Sequence, residues 1–505
     1  MIKNFEKYLF QDDFNDISSI LVEETNVNLK KYLNSEILSK VDVSTIIKLI
    51  HLNGSDPFIK QEDICKVLSI TKEDLLFYNS ILKKSSELQN LLTTIGLASK
   101  FLKNTILPVI QSGSLDAFNK KQNYFPFKVG LFVGISCMFE CTFCGRNYDA
   151  KYNRSTLDAG IEMYKKLIEE APDNDPHRFY ISGGLEPLTN PKIGEIINSL
   201  SVKKFKTSMY TNAYMLTEKL LNKNKEIFDL DYLRISLYGT NHEEYLQTTK
   251  HKNGYQQVFS NIPKYLKLKK DRGSKTQFGL NYIVLKKYTE KLEILIDKII
   301  EINKEAGFEK NDIDFLTLRE DFSVDSEKYN DQEKINLSKL LKKVDKQIKN
   351  SSFLKSLHID YGFALDGLKK GYTKKSLADS FVTEEEFHKN FGVPHASVAV
   401  DLYGDVYMLR EAAFLDRPGS KRYIIGNLIK DGSMQNIIEN YNNNKFKVET
   451  KKDDIGYLDA WDHVVIKLAN QDDSDRKFGI PFELGPISDK VKKVEKLSHK
   501  IHYSE

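Results

Sequence analysis

Apolar residues recur at three- and four-residue spacings through residues 1–122, as in "TIIKLIHLNG" and "EDLLFYNSILKKSSELQNLLTTIGLASKFLKNTILPVI". That period marks one face of a helix, so the pattern predicts an all-α N-terminal domain over 1–122. The aromatic, proline-bearing "NYFPF" at 123–127 reads as the connection out of it. Beyond it, short β-rich runs alternate with longer amphipathic segments. Strands are predicted at "KVGLFVGI" (128–135), "RFYISGG" (178–184), "TSMYTN" (207–212), "LRISLYG" (233–239), "FGLNYIVL" (278–285) and "IDFLTL" (313–318). The intervening helices include "STLDAGIEMYKKLIEEA", opened by a Ser155-x-x-Asp158 capping pattern, and "YTEKLEILIDKIIEINKEAG", closed by Gly307.

Such alternation argues for parallel strands joined by right-handed helical crossovers, in an open doubly wound sheet or a barrel or part-barrel over 123–330. In either arrangement ligands sit at the C-terminal ends of the strands. That rule gathers "CMFECTFC", "GGLEPL", "YTN", "SLYG" and "LRED" on one rim, because each ends or follows a predicted strand. After residue 330 a helix, "DQEKINLSKLLKKVDKQIKN", leads into "LHIDYGFAL" and "SVAVDLYGDVYML". There "YGD" between two alternating runs predicts a hairpin, and 331–505 is read as a C-terminal α+β extension capping the barrel.

Composition narrows the partners. The 505 residues are 40% hydrophobic and 29% charged with formal charge +4, which is ordinary for a globular chain and lacks the basic field of a nucleic-acid binder. The N-terminus has no signal-peptide core, and no run approaches the roughly 20 apolar residues needed to span a bilayer, so a cytoplasmic protein with no membrane partner is expected. Thiols stay reduced there, which favours a metal or catalytic role for clustered cysteines. Of four cysteines, Cys137, Cys141 and Cys144 fall within eight residues at C-x3-C-x2-C. Cys65 lies alone on an apolar helix face and reads as a small buried hydrophobe.

Three thiolates at this spacing suit zinc or an iron-sulfur cluster. A structural zinc is normally closed by a fourth Cys or His, and the nearest downstream histidine is His177. A cluster with three protein thiolates leaves one iron open to a small molecule. In "SGGLEPL", Gly183 and Gly184 lack side chains and so permit close backbone approach to a ligand.

The order cysteine loop, helix, strand, Gly-Gly-x-Glu-Pro resembles the radical S-adenosylmethionine (SAM) superfamily. The resemblance implies an α/β fold: a partial (β/α)6 TIM-like barrel. It also implies a 4Fe-4S cluster on Cys137, Cys141 and Cys144, with SAM chelated by the open iron and cleaved to a 5'-deoxyadenosyl radical. By the same resemblance Phe143 packs near the adenine, Gly183, Gly184 and Glu186 hold the methionine end, and Asn212 and Ser236 contact ribose and carboxylate. Leu185 is inserted between the glycines and Glu186 relative to the family sequence.

Further motifs in the same order, "EEYLQTT", "YIVL", "REDFS", "LHIDYGFAL" and "VDLYGDVYMLREAAF", make the chain similar to the radical SAM ammonia-lyases of desosamine biosynthesis. Those enzymes act on a thymidine-diphosphate (TDP) sugar, TDP-4-amino-4,6-dideoxy-D-glucose, abstract hydrogen from C3 and release ammonia from C4, giving TDP-3-keto-4,6-dideoxy-D-glucose. A flavodoxin-type electron donor and SAM as a consumed cosubstrate follow from this likeness. On the sixth strand, Arg319 is the candidate to hold a hydroxyl or stabilise developing negative charge, and Glu320 to accept a proton. The alternative for "LRED", Asp321 included, is a solvated or internally paired charge cluster. Arg410 and Glu411 are further candidates, and either arginine suits a diphosphate. The hairpin carries no cysteines, so a single cluster is expected. A radical SAM dehydrogenase or dehydratase on another sugar nucleotide, or a non-catalytic metal-binding protein, are the competing readings.

Overall fold

The computed structural model describes residues 26–27, 29–31, 33–55, 60–82, 105–146, 148–321, 329–369, 382–443 and 448–471. The chain divides into two compact units, one of residues 1–113, 366–389 and 464–505, the other of 114–365 and 390–463. Among the described residues no helix is long and apolar enough to cross a membrane.

In the first unit the helices Ser35–Leu38, Val43–Ser55, Gln61–Leu68 and Lys72–Leu82 follow in close succession. Asn34 starts the first, its Oδ1 accepting the Ile37 amide at 2.9 Å. Asp42 starts the second through the Ser44 and Thr45 amides. Leu29, Leu33, Ile46, Ile47, Ile64, Leu75, Ile81 and Leu82 form its core, and Cys65 packs half-buried against that cluster, as a small hydrophobe does. The predicted helical stretch over 83–104 lies outside the described residues.

The second unit is built on a ten-stranded sheet. Strands β1 (Lys128–Phe132), β2 (Phe179–Ser182), β3 (Ser208–Thr211), β4 (Tyr232–Leu237), β5 (Gln277–Val284), β6 (Phe315–Glu320) and β7 (His358–Tyr361) lie side by side in chain order, all parallel. The first six are the strands that the hydrophobic runs predict, and the partial barrel of the radical SAM type is present. β8 (Ser397–Val400) pairs parallel with β1. β9 (Asp405–Tyr407) and β10 (Ile424–Asn427) continue antiparallel from it. The predicted hairpin exists, with Gly404 at φ +85° in its turn. It forms no separate layer; with β7 it lengthens the same sheet at both edges.

Helices follow the parallel strands, as "STLDAGIEMYKKLIEEA" and "YTEKLEILIDKIIEINKEAG" predict. The second ends as expected, with Gly307 at φ +81° donating to the Lys304 carbonyl. The first starts differently. A 3-10 turn at Arg154–Thr156 precedes the helix Leu157–Glu170, and the cap is Asn153, whose side chain accepts the Ser155 amide. Ser155 is inside the turn, and Asp158 pairs with Lys192 at 2.6 Å instead of completing a capping box.

Candidate functional site

Strand parity decides which side chains face the inside of the partial barrel. On β4, Leu233, Ile235 and Leu237 are fully buried while Tyr232, Arg234 and Ser236 are half-buried. Phe278 pairs with Leu233 in the sheet and stacks on Tyr265 of the helix Gly254–Asp271, so the buried set faces the helices. Arg234 and Ser236 therefore face inward. Their row continues across the sheet through Asn281, Thr317 and Asp360, with Arg319 one step nearer the rim.

Arg319 thus stands on the inner face, exposed at the C-terminal end of β6. Glu320, its neighbour in an extended strand, lies on the opposite face with Leu316 and Leu318 and is seated against Gly362, where a Cβ would collide with its carboxylate. The two candidates from "LRED" are not brought together, and Glu320 does not join the inner row. Asp321 ends the segment and is half-buried.

The loop after β1 carries the cysteines. Its flanks are fastened at several points: the Glu140 and Thr142 amides donate to the Thr249 and Thr248 carbonyls, and the Tyr148 hydroxyl donates to the Cys141 carbonyl at 2.6 Å. Arg146, buried inside the loop, donates to the Phe139 and Tyr148 carbonyls. Cys141 is buried, and Cys137 and Cys144 are half-buried. Burial pushes all three thiols up, Cys137 to about 11; Cys144 adds to the shift at Cys137 and Cys141, and Cys137 to that at Cys141, while the Arg146 charge opposes it at all three. The side chains are within electrostatic reach of one another, but among the described residues no three Cys, His, Asp or Glu gather closely enough to hold a lone ion.

"SGGLEPL" folds back over this loop. Gly183 takes φ +140°, a conformation that L side chains rarely adopt, and a Cβ there would lie 2.9 Å from Phe132. At Gly184 a Cβ would lie 2.8 Å from Phe414. Both glycines are thus required by the protein's own aromatic rings. The inserted Leu185 is buried, its carbonyl against Gly134, where a Cβ would come within 2.7 Å. Glu186 is buried and accepts from the Leu188 amide (3.0 Å), the Asn212 amide (2.8 Å) and the Thr211 hydroxyl. Burial raises its carboxyl, opposed by these donors. Its carboxylate therefore clamps the β2 loop to the end of β3. Thr189 completes the assembly, its hydroxyl oxygen accepting the Ile135 and Ser136 amides at 3.0 and 3.2 Å, and Asn190 donates to the Val133 carbonyl. Sequence reasoning passed over Gly134, Thr189 and Asn190; the polar "TN" directly after "GGLEPL" is the signal that was there.

Asn212 holds its place through Glu186 and turns its amide nitrogen to Cys137 Sγ at 3.8 Å and Met138 Sδ at 3.2 Å. Ser236 bonds the Tyr238 side chain, and Tyr238 packs 5.5 Å from Phe143 and 6.0 Å from Phe139. Phe143 and Tyr238 form an aromatic wall beside the cysteine loop. A third side comes from 410–417. Phe414 rests against Gly184 and 6.2 Å from Phe132, and the Arg417 guanidinium lies 3.3 Å from where a Gly145 Cβ would stand. Glu411 accepts from Arg417 at 3.4 Å; burial pushes its carboxyl up to about 7, against the pull of Arg417 and, more weakly, Arg319. Arg410 turns away from the rim, bound to Asp459 at 2.8 Å and stacked over Tyr180 and Trp461.

Residues 131–318 match the radical SAM superfamily. A curated relative, the dTDP-4-amino-4,6-dideoxy-D-glucose ammonia-lyase of Streptomyces venezuelae, is 34% identical over 435 residues, 86% of this chain and 88% of that protein. Among solved structures, Streptococcus suis SuiB bound to S-adenosylmethionine aligns with TM-score 0.43 and 15% identity over 70% of this chain and 72% of its own. The enzyme anSMEcpe with bound AdoMet aligns with TM-score 0.41 and 15% identity over 75% and 93%.

Proposed function

From the premise that this chain belongs to the radical SAM superfamily and is a radical SAM ammonia lyase, we propose that it eliminates ammonia from TDP-4-amino-4,6-dideoxy-D-glucose to give TDP-3-keto-4,6-dideoxy-D-glucose. The observation that carries this is identity of 34% extending over 86% of the chain, far past the 131–318 core to which the superfamily match is confined.

Cys137, Cys141 and Cys144 would hold one 4Fe-4S cluster. Their pocket fits the group: burial pushes all three thiols up against the charge of Arg146 and, at Cys144, of Arg417, and metal coordination supplies further positive charge while removing their protons. With SAM and a flavodoxin-type donor of two electrons, the loaded cluster would supply a 5'-deoxyadenosyl radical able to take hydrogen from C3 of the sugar; once ammonia has left C4, the second electron and a proton complete the 3-keto product. Asn212 braces the Cys137 side of that site, and the tilted rings of Phe143 and Tyr238 offer an aromatic wall for the adenine. Arg319, on the inner face, stabilises negative charge at the C3 oxygen as its proton leaves. Glu411 is better suited than Glu320 to take that proton, because it shares the rim with Cys144 and Arg417 and its carboxyl sits near 7. Glu320 lies on the helix-facing side of β6.

The test is anaerobic reconstitution with iron and sulfide, then SAM, reductant and the TDP-amino sugar. Ammonia and 5'-deoxyadenosine are expected in equal amounts, both lost in Cys141→Ala. Deoxyadenosine without ammonia would make the enzyme a dehydrogenase, and deoxyadenosine formation by Cys141→Ala would end the radical reading.

A further inference from the structure

The inner face of the partial barrel holds a cation with no counter-charge. Arg234 stands on β4 one inward-facing position below Ser236, about 7 Å deeper than the rim residue. Among the described residues it forms no ion pair, and its Nε is buried without a hydrogen-bond partner. Its guanidinium is instead surrounded by rings, 4.9 Å from Phe315, 5.3 Å from Tyr210 and 5.9 Å from Tyr232. Gly279 makes room for the Phe315 ring, which would collide with any Cβ there.

The contrast with neighbouring cations is informative. Arg410 is neutralised by Asp459, Lys128 by Asp175, and Arg178 donates to Asn174 and the Pro126 carbonyl. Cation–π contact contributes about 0.5–2 kcal/mol and leaves the half-buried guanidinium without an anionic partner. A further inward-facing polar atom, Thr317 Oγ1 on β6, is also buried without a partner. An inner face with an unmatched guanidinium and an idle hydroxyl is arranged for an anion that arrives with a ligand.

We propose that Arg234 anchors the diphosphate of the nucleotide sugar, holding the anionic part inward while the sugar ring meets the rim. This rests on the TDP-sugar reading given above. The other anion available is the SAM carboxylate, and the experiment separates the two.

Binding of TDP and of SAM is measured by anaerobic calorimetry on the reconstituted enzyme, for wild type, Arg234→Lys and Arg234→Met. Arg234→Met is expected to weaken TDP binding at least about 30-fold, the size of losing a charge-assisted bidentate contact, with Arg234→Lys intermediate. SAM affinity and cluster absorbance stay at wild-type values. The ligand-free Arg234→Met protein melts at the wild-type temperature or above, because an uncompensated cation has been removed; a merely structural arginine would lower it. Unchanged TDP affinity in Arg234→Met overturns the assignment, as does a loss of SAM affinity in place of TDP affinity. Failure of the wild type itself to bind TDP would overturn both this assignment and the nucleotide-sugar reading.

Discussion

Glu186 is where the account of the SAM-side loop is most exposed to a single substitution. In Glu186→Gln the side chain keeps its shape but replaces one acceptor oxygen by an NH2 group. Oriented to keep Oε1 on the Leu188 amide and the Thr211 hydroxyl, the new NH2 faces the Asn212 amide that now donates to Oε2 at 2.8 Å. A hydrogen bond to a charged acceptor contributes about 1.5–3 kcal/mol, and a buried donor left unmatched costs about 1–3 kcal/mol. Removing the carboxylate also removes its burial penalty, the reason its carboxyl is raised, and this offsets part of the loss. The net expectation is about 2–4 kcal/mol, felt at the end of β3. Local opening there should become roughly 30- to 1000-fold more frequent. Hydrogen exchange followed by mass spectrometry on a peptide covering Asn212 reads this directly, without requiring two-state unfolding of a two-unit chain. Exchange at wild-type rate in that peptide would refute the clamp, and with it the claim that Glu186 positions Asn212 beside Cys137.

Other consequences are as specific. Asp401 is fully buried in the β8–β9 turn, where burial and the Asp405 charge raise its carboxyl from 3.8 to about 7, opposed by the Asp405 and Tyr403 amides and the Tyr152 hydroxyl. A raised carboxyl stabilises the fold at low pH and loses that contribution as pH climbs from 4 through 7, so Asp401→Asn should flatten the fall of melting temperature between pH 5 and 8. Gly184→Ala drives a methyl to within 2.8 Å of Phe414; a loss of about 1–3 kcal/mol in denaturant unfolding is expected, and Gly184→Ala combined with Phe414→Leu should recover part of it. Arg319→Gln should lower kcat by about 100-fold with SAM affinity kept, whereas Glu320→Gln on the other face of β6 should change kcat little; equal effects would contradict the parity of that strand.

Much of the fold was legible because parallel strands buried on one face advertise themselves as short apolar runs, and all six from "KVGLFVGI" to "IDFLTL" are present. The cysteine triad and "SGGLEPL" were likewise local signals. What escaped was non-local. Nothing near Ser397 indicates that β8 lies beside β1, about 270 residues earlier in the chain, and the short, half-buried "IIGN" of β10 has no clear period. The glycine pair reads in sequence as a place for close backbone approach, and the further demand for glycine set by Phe132 and by Phe414, the latter 230 residues away, shows only in the fold. The hold of the Glu186 side chain on Thr211 and Asn212 of the next strand was equally out of view. The separation of Arg319 from Glu320 follows from a period of two, but deciding which is inside required the stacking of Phe278 on Tyr265. Glu411 gained weight over Glu320 only because the chain returns 410–417 to the rim.

The central claim is a radical elimination at C3 and C4 of a TDP-amino sugar. Its most direct test uses TDP-4-amino-4,6-dideoxy-D-glucose deuterated at C3 with the reconstituted enzyme, SAM and reductant. The account predicts deuterium in the 5'-deoxyadenosine together with release of ammonia and formation of the 3-keto sugar. Unlabelled deoxyadenosine, or labelled deoxyadenosine with no ammonia, would contradict it.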